Sequence, residues 1–349
     1  MMKIKCSGCD KVYDIPDERL SFGEKVSFPC PACKNIINIY PRSKSKKSPA
    51  KTKDRGISKT TESENDLPRG EALQKIILRR LTELPPMPQV MFKAREVMDD
   101  PKSNFKALAD ILETDQAMAT RVLRLANSAY YGLAGKVSSV QHASVLLGYQ
   151  TVGEIVSMAG SSTLLGNSLQ GYKLDSGDLW QHSLAVAISS RIIAKKVYPD
   201  FENDAFAAGL IHDAGKLVLD KYLLERDGLF TSFMKSGEET FLDAEKQILG
   251  FDHSEIAAEM CKSWKIPNIL VNAIAYHHYP ARSNENTLAY IIHVADSLSL
   301  MSGLGTGIDG MLYKMDHRAL ELLGLEEDLL ERIIEETVES VQKITQEMQ

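Results

Sequence analysis

His182, the adjacent pair His212-Asp213, His253, the adjacent pair His277-His278, and Asp296 recur through the second half of this chain. Imidazole and carboxylate groups are the side chains with which proteins hold one or two divalent cations. Two readings of such a set compete. A water shared by two cations becomes a nucleophile near neutral pH, and phosphate oxygens can bind both metals, which is hydrolytic work. The same residues can instead form a polar, mutually hydrogen-bonded interior that fixes helix packing.

A second ligand set stands at the N-terminus. Cys6-x-x-Cys9 and Cys30-x-x-Cys33 have the spacing with which two tight knuckles each offer two thiolates to one tetrahedral Zn2+, at roughly 2.3 Å. Lys11–Ile15, Val26–Phe28 and Asn35–Tyr40 alternate in the manner of short strands, so residues 1–40 are predicted to be a small β zinc ribbon. The segment resembles the zinc-ribbon fingers found at the N-terminus of many bacterial regulatory proteins. A module this short buries little core, so its metal serves folding first. The fifth cysteine, Cys261, lies alone in an apolar helical context and reads as a small buried residue.

The elements that must position the histidines follow the ribbon. Residues 41–69 lose nearly all large apolar side chains and read as a disordered basic linker. Between 41 and 60, eight Lys or Arg against the single acid Asp54 carry +7 of a total of −6, which leaves −13 for the rest. An acidic body repels nucleic acid, so ribbon and linker are the only phosphate-contacting candidates, and the ribbon lacks a dense basic and aromatic face. From Gly70 onward apolar residues recur at helical spacing over Leu73–Leu81, Val90–Met98, Phe105–Leu112, Ala117–Ala126, Ser144–Met158, Leu179–Val197, Ala205–Leu219, Phe241–Leu249, Ser254–Lys262, Ile269–Tyr276, Thr287–Met301 and Leu329–Met348. Leu84-Pro85-Pro86-Met87-Pro88 stops the first of these. With 44% apolar residues in 349, the chain has material for a substantial core. No apolar run approaches the length of about 18 residues that spans a bilayer, and no secretory leader is present, so a cytoplasmic location is expected.

Two phrases carry a further resemblance. The first is Leu84-Pro85-Pro86-Met87-Pro88 followed by Ile111 to Met118 and by Leu123-Arg124-Leu125-Ala126-Asn127-Ser128-Ala129-Tyr130-Tyr131; the second is Gly209-Leu210-Ile211-His212-Asp213-Ala214-Gly215-Lys216, with Ser263 to Pro267 and Ala275-Tyr276-His277-His278 after it. Together they resemble the HDOD domain, a signalling relative of the HD-type phosphohydrolases. The resemblance implies a mainly α, all-helical body over 70–349 in two subdomains, at 70–165 and 175–305, with a helical tail at 306–349. It also implies that His182, His212, Asp213 and Asp296 form one metal site with Asp213 bridging. His253, His277 and His278 resemble the further ligands of two-metal phosphodiesterases of the HD-GYP type. The metal would be Fe, Mn, Mg or Zn. Lys216, one helical turn after His212, is placed to meet a phosphate oxygen, and Asp178 shares the face of His182 as a candidate outer ligand. His293 reads as a supporting or core residue, and Asn127-Ser128 as a packing and capping device.

The chain departs from the phosphodiesterases after His277-His278, where Tyr279-Pro280-Ala281-Arg282 has no Gly-Tyr-Pro loop. The reading that follows is a regulatory signalling protein whose helical body binds a protein partner or a nucleotide-like ligand without catalysis. The alternative is a metal-dependent phosphohydrolase acting on a nucleotide or cyclic dinucleotide, in which Asp213 and Lys216 carry the chemistry. A weaker third reading has ribbon and linker binding nucleic acid.

Overall fold

The computed structural model describes residues 2–5, 11–15, 26–29, 36–39, 67–80, 97, 100, 102–133, 135–235, 239–305, 307 and 315–348. The chain divides into two compact units, Met1–Thr61 and Glu62–Gln349. In the first, β1 (Met2–Lys5) pairs antiparallel with β2 (Val12–Ile15), and β3 (Val26–Pro29) pairs antiparallel with β4 (Ile36–Ile39). Three of these strands fall where alternation predicted them. Cys6, Cys9, Cys30 and Cys33 lie outside the described residues, as do most of the 41–69 linker, the Leu84–Pro88 stop and nearly all of the expected 90–98 helix.

The second unit is helical. It contains α1 (Glu71–Arg80), α2 (Phe105–Leu112), α3 (Gln116–Ala126), α4 (Val140–Leu165), α5 (Asp178–Val197), α6 (Glu202–Ile211) and α7 (Lys216–Leu224). It continues with α8 (Asp227–Met234), α9 (Phe241–Leu249), α10 (His253–Ser263), α11 (Asn268–Ala275), α12 (Thr287–Met301), α13 (His317–Leu323) and α14 (Glu327–Met348). The polar breaks between apolar runs are caps: Asn104, Asp115, Ser139, Asp252 and Asn286 each accept a first-turn backbone N–H, and Thr240 with Asp243 forms a reciprocal capping box.

Two helices are central. α5 packs against α6, α12 and α14, and it is buried on nearly every side, from Leu179 and Trp180 to Ile193 and Ala194. α12 is buried likewise from Leu288 to Ser299. A helix apolar all round belongs in a core, so any polar side chain on it is held inside. His182 and Asp296 are such residues, at 3% and 2% exposure.

The structure corrects the sequence reading in two places. The run Ala205–Leu219 is not one helix: α6 ends at Ile211 and α7 begins at Lys216, leaving His212-Asp213-Ala214-Gly215 as a turn. The run Ser144–Met158 is part of a longer α4 that bends at Gly148, whose φ of 83° and ψ of 165° are open to glycine and costly for other residues.

Asn127 explains the Asn-Ser phrase. Its Nδ2 donates to Leu123 O at 2.8 Å and Val137 O at 2.9 Å, and its Oδ1 accepts from Val137 N at 2.7 Å, pinning the following loop. Arg191 of α5 joins Glu154 of α4, with Nη1 to Oε2 at 2.6 Å; it also hydrogen-bonds the Tyr130 hydroxyl and lies 4.9 Å over the Phe206 ring. Burial, and then Glu202, push the Glu154 carboxyl up to about 7 even beside that guanidinium.

Candidate metal centre

Five segments meet at one point. His182 comes from the first turns of α5, His212 and Asp213 from the turn between α6 and α7, His253 from the first residue of α10, His277 and His278 from just beyond α11, and Asp296 from α12. Glycine makes this convergence feasible. A Cβ on Gly215 would stand 2.0 Å from His253 O and 2.8 Å from Ala257 N, so only glycine lets the His-Asp turn lie against α10. Gly305, at φ +60°, backs onto the start of α5 in the same way, since a Cβ there would stand 2.7 Å from His182 N.

Asp213 is the hub, and its two oxygens face different imidazoles. Oδ2 lies 3.4 Å from His212 Nε2, 3.7 Å from His182 Nε2 and 2.6 Å from Lys216 Nζ. Oδ1 lies 3.2 Å from His253 Nε2 and 3.8 Å from His277 Nε2. Asp296 adds Oδ1 at 3.1 Å from His182 Nε2 and 3.9 Å from His212 Nε2, while its Oδ2 is 4.0 Å from His278 Nδ1. The structure therefore brings all seven candidate residues of the helical body together.

The ring orientations suit ligation. His212 Nδ1 lies 2.8 Å from Gly209 O and His277 Nδ1 lies 2.7 Å from Ile274 O, so in the neutral rings these nitrogens carry the proton and Nε2 turns a lone pair inward. His253 Nδ1 meets Glu245 Oε2 at 2.8 Å, to the same effect. His278 Nε2 lies 2.8 Å from His253 Nε2. Three overlapping sets offer ligand atoms within 4.8 Å of one another: His182, His212 and Asp213; His212, His277 and Asp296; Asp213, His253, His277 and His278. Buried polar atoms seldom lack a hydrogen-bond partner, yet His212 Nε2, His277 Nε2 and Asp213 Oδ1 have none among the described residues. Orphan lone pairs converging on one point are what a divalent cation satisfies, so the residues present fit such an ion.

Charge is shared inside the cluster. Burial pushes the Asp213 carboxyl up, but His212, Lys216 and His253 outweigh it and hold the group well below the ordinary range. Burial likewise opposes charge on His253, and Glu245 and Asp213 overcome it to raise the imidazole well above its usual value. His277 goes the other way: burial and then His212 push it down to about 3. Burial, then His277 and His253, keep His278 neutral as well. The centre opens to a cavity of about 230 Å3, walled at the mouth by Thr240, Leu242, Tyr279 and Leu300, with Lys216 on its inner wall.

Sequence reasoning missed Glu245 and Tyr172. Glu245 is fully buried; its Oε2 accepts from His253 N at 3.0 Å and meets His253 Nδ1, and its Oε1 accepts from Tyr172 Oη–H at 2.5 Å. Such a carboxylate behind a histidine orients the ring and raises its basicity. The signal was present, since Glu245 sits on the apolar stripe of α9 between Phe241 and Leu249 at helical spacing. His293 supports the cluster from behind, its Nδ1 2.8 Å from His277 O and its Nε2 accepting from Asp316 N at 2.9 Å. Asp178 does not join the centre: its Oδ2 accepts from Asp175 N at 2.8 Å and closes the turn before α5. Cys261 is buried in apolar surroundings, which push its thiol up to about 12 and leave it inert.

A family model for the HDOD domain matches residues 84–280, more than half of the chain. The chain belongs to the HDOD family. Among solved structures, this HDOD protein is similar to a provisionally named phosphohydrolase from Shewanella amazonensis SB2B, with 23% identity, a TM-score of 0.61, and coverage of 78% of this chain and 98% of that one. It is similar also to an HDOD domain protein of unknown function from Geobacter sulfurreducens, at 24% identity and a TM-score of 0.59, covering 78% of this chain and 92% of the other. A provisionally named signal transduction protein from Marinobacter aquaeolei VT8 matches at 24% identity and a TM-score of 0.61, over 78% of this chain and 63% of that one. These likenesses establish the fold. An uncharacterized protein of Treponema pallidum (strain Nichols) is 22% identical over 205 residues, and the match spans 58% of this chain and 39% of that relative's length. Among the described residues, no helix is long and apolar enough to cross a membrane.

Proposed function

We infer that this HDOD protein is a signalling regulator whose helical body holds one or two divalent cations at the His/Asp centre and admits a phosphate-bearing, nucleotide-like ligand above them. The observation that carries this reading is Asp213, whose two oxygens face separate imidazole sets and would let one carboxylate serve two cations. His182, His212 and Asp296 would serve the first cation, and His253, His277 and His278 the second; Fe, Mn, Mg or Zn suits such a mixed nitrogen and oxygen set. Bound cations there supply Lewis acidity toward a phosphoryl oxygen. Lys216, whose Nζ lies 2.6 Å from Asp213 Oδ2 and which lines the cavity, would offer its ammonium to the ligand's negative charge. The absence of a Gly-Tyr-Pro loop after His277-His278 favours regulation over turnover here.

The N-terminal cysteines belong to the same proposal. Each Cys-x-x-Cys pair lies, in sequence, between two strands that pair with each other, the order expected of a zinc ribbon. The ribbon would hold one Zn2+ and offer a protein-contacting module, and the basic linker a tether in cytoplasmic surroundings. Nucleic acid remains the lesser partner of the two.

Hydrolysis of a nucleotide or cyclic dinucleotide is the second reading, favoured by the cavity that reaches Asp213 and Lys216 from outside. Elemental analysis of the full chain tests the metal reading. Asp213→Ala should lose the iron, manganese or zinc of the body, and a Cys6→Ser/Cys9→Ser variant should lose one zinc and keep the rest. Retention of every metal by Asp213→Ala overturns the reading. Turnover of bis(p-nitrophenyl) phosphate or cyclic di-GMP with Mn2+, abolished by Asp213→Ala, would promote hydrolysis to first place.

A further inference from the structure

A second cavity, of about 180 Å3, shares no lining residue with the cavity at the metal centre and is lined by the 170–173 turn, α8 and the first residue of α9. Its floor is apolar: Phe230, Met234 and Phe241 line it, and the two rings stack at 5.4 Å with 28° between their planes. Its rim is charged, with Lys173 and Lys235 against the single acid Asp227. Among the described residues neither lysine takes part in an ion pair, so both ammonium groups remain available above an apolar bed.

The chain strains itself to put Lys173 there. Leu169 and Leu174 exchange two backbone hydrogen bonds of 2.9 Å and close the 170–173 turn, and Asp220 on α7 accepts from Gly171 N at 2.6 Å. Within that turn Lys173 has φ of 55°, the left-handed region that a side chain with a Cβ seldom enters. A lysine held so at the lip of a cavity that offers apolar contact below and a second ammonium beside it is arranged for a small anion with a flat body. The cavity falls short of the roughly 300 Å3 at which drug-sized sites begin, which limits the occupant to about one ring and one acidic head.

The neighbouring residue in the turn connects this cavity to the centre. Tyr172 is fully buried, packs its ring 5.6 Å from Phe241, and donates its hydroxyl proton to Glu245, which in turn holds His253. Floor, turn and histidine are thus joined by direct contact. We propose that this second cavity binds a small aromatic anion on Phe230 and Phe241 under Lys173 and Lys235, and that its occupancy is passed through Tyr172 and Glu245 to the metal centre.

The binding half stands independently of metal, whereas the coupling half rests on the metal reading. The probes are 4-(trifluoromethyl)benzoate and phenyl phosphate, which share a ring and differ in the acidic head, titrated into the full chain with ligand-observed NMR. We expect saturable binding of at least one, weakened roughly tenfold or more by Lys173→Glu/Lys235→Glu, since each reversal places a like charge beside the head. Asp213→Ala should still bind the probe, its affinity moving by no more than the few-fold coupling between the two sites, because binding linkage is reciprocal. No saturable binding of either probe, or binding indifferent to the two lysines, overturns the proposal; loss in Asp213→Ala instead would place the probe in the metal cavity and overturn it as well. For coupling, Mn2+ affinity is measured with and without saturating probe. A shift of a few-fold in the wild type that vanishes in Tyr172→Phe, while the probe still binds, supports the relay. If Mn2+ binds the wild type and its affinity does not respond to the probe, the relay is wrong and the site is an isolated one. Failure of Mn2+ to bind at all would instead count against the metal reading.

Discussion

Replacing Glu245 by glutamine keeps the shape of the side chain and removes its charge. In the favoured amide orientation the carbonyl still accepts both His253 donors, at 2.8 and 3.0 Å, while the amide group donates to the Tyr172 oxygen in place of accepting from it. The fold should therefore lose about 1 kcal/mol or less. What disappears is the negative charge behind His253, first among the influences that offset burial of that ring. Removing such a partner typically costs about 10- to 100-fold in metal affinity. For Glu245→Gln we expect the lower figure, about 1.4 kcal/mol of binding energy. Glu245→Ala strips the acceptor from all three donors, at roughly 1–3 kcal/mol each where burial prevents rescue by water, so a loss of stability on the order of 4 kcal/mol is expected, with metal affinity falling by the higher figure. The assay is calorimetric titration of Mn2+ paired with thermal unfolding in excess chelator. If both variants lose stability while neither changes Mn2+ affinity, Glu245 is merely a packing group and the reasoning from its geometry fails.

Other perturbations follow from the same structure. Glu154 is raised from 4.5 to about 7, so the folded state holds its proton longer than the unfolded one; stability should fall as pH rises from about 4.5 through 7, by up to ~3 kcal/mol, and Glu154→Gln should flatten the dependence of the unfolding temperature on pH over that window. A rise in stability over the same window that Glu154→Gln abolishes would show the sign to be wrong. Gly215→Ala puts a methyl group 2.0 Å from the His253 carbonyl oxygen, and because backbone cannot step aside, about 3 kcal/mol of destabilisation with loss of Mn2+ binding is expected by thermal unfolding and titration. Asn127→Ala removes three hydrogen bonds around buried Val137 and should lower the urea midpoint by the equivalent of about 2–3 kcal/mol, with new proteolytic cleavage in the loop after residue 127; an unchanged midpoint would refute the pinning role.

Helix positions were the most legible property of the sequence, because apolar periodicity and polar caps agree. Phe105–Leu112, Phe241–Leu249 and Thr287–Met301 fall where the pattern puts them, each with Asn or Thr immediately before. Local turns were less legible. Apolar spacing runs unbroken through Ala205–Leu219, yet the helix gives way to a turn at 212–215, and the close fit of Gly215 against α10 at that turn is a tertiary fact. The short α8 and α13 were likewise unread. The site residues could be named from their types, but the support behind them could not. Glu245 was visible only as an acid on an apolar stripe, and Tyr172 had no sign at all, because its role depends on a turn closed by Asp220 far along the chain.

The overlap of the three ligand sets has an evolutionary consequence. His212, Asp213 and His277 each belong to two of them, so one substitution at any of the three removes a ligand atom from two of the sets at once. Decay of such a centre is abrupt: descendants would tend to keep nearly the whole set or lose its chemistry in one step, with few lineages stranded between. The helices packed around it would outlast that loss, since the core of α5 and α12 is built from apolar residues that owe nothing to a cation. A family using this fold is therefore free to shed metal chemistry repeatedly and independently while the architecture persists.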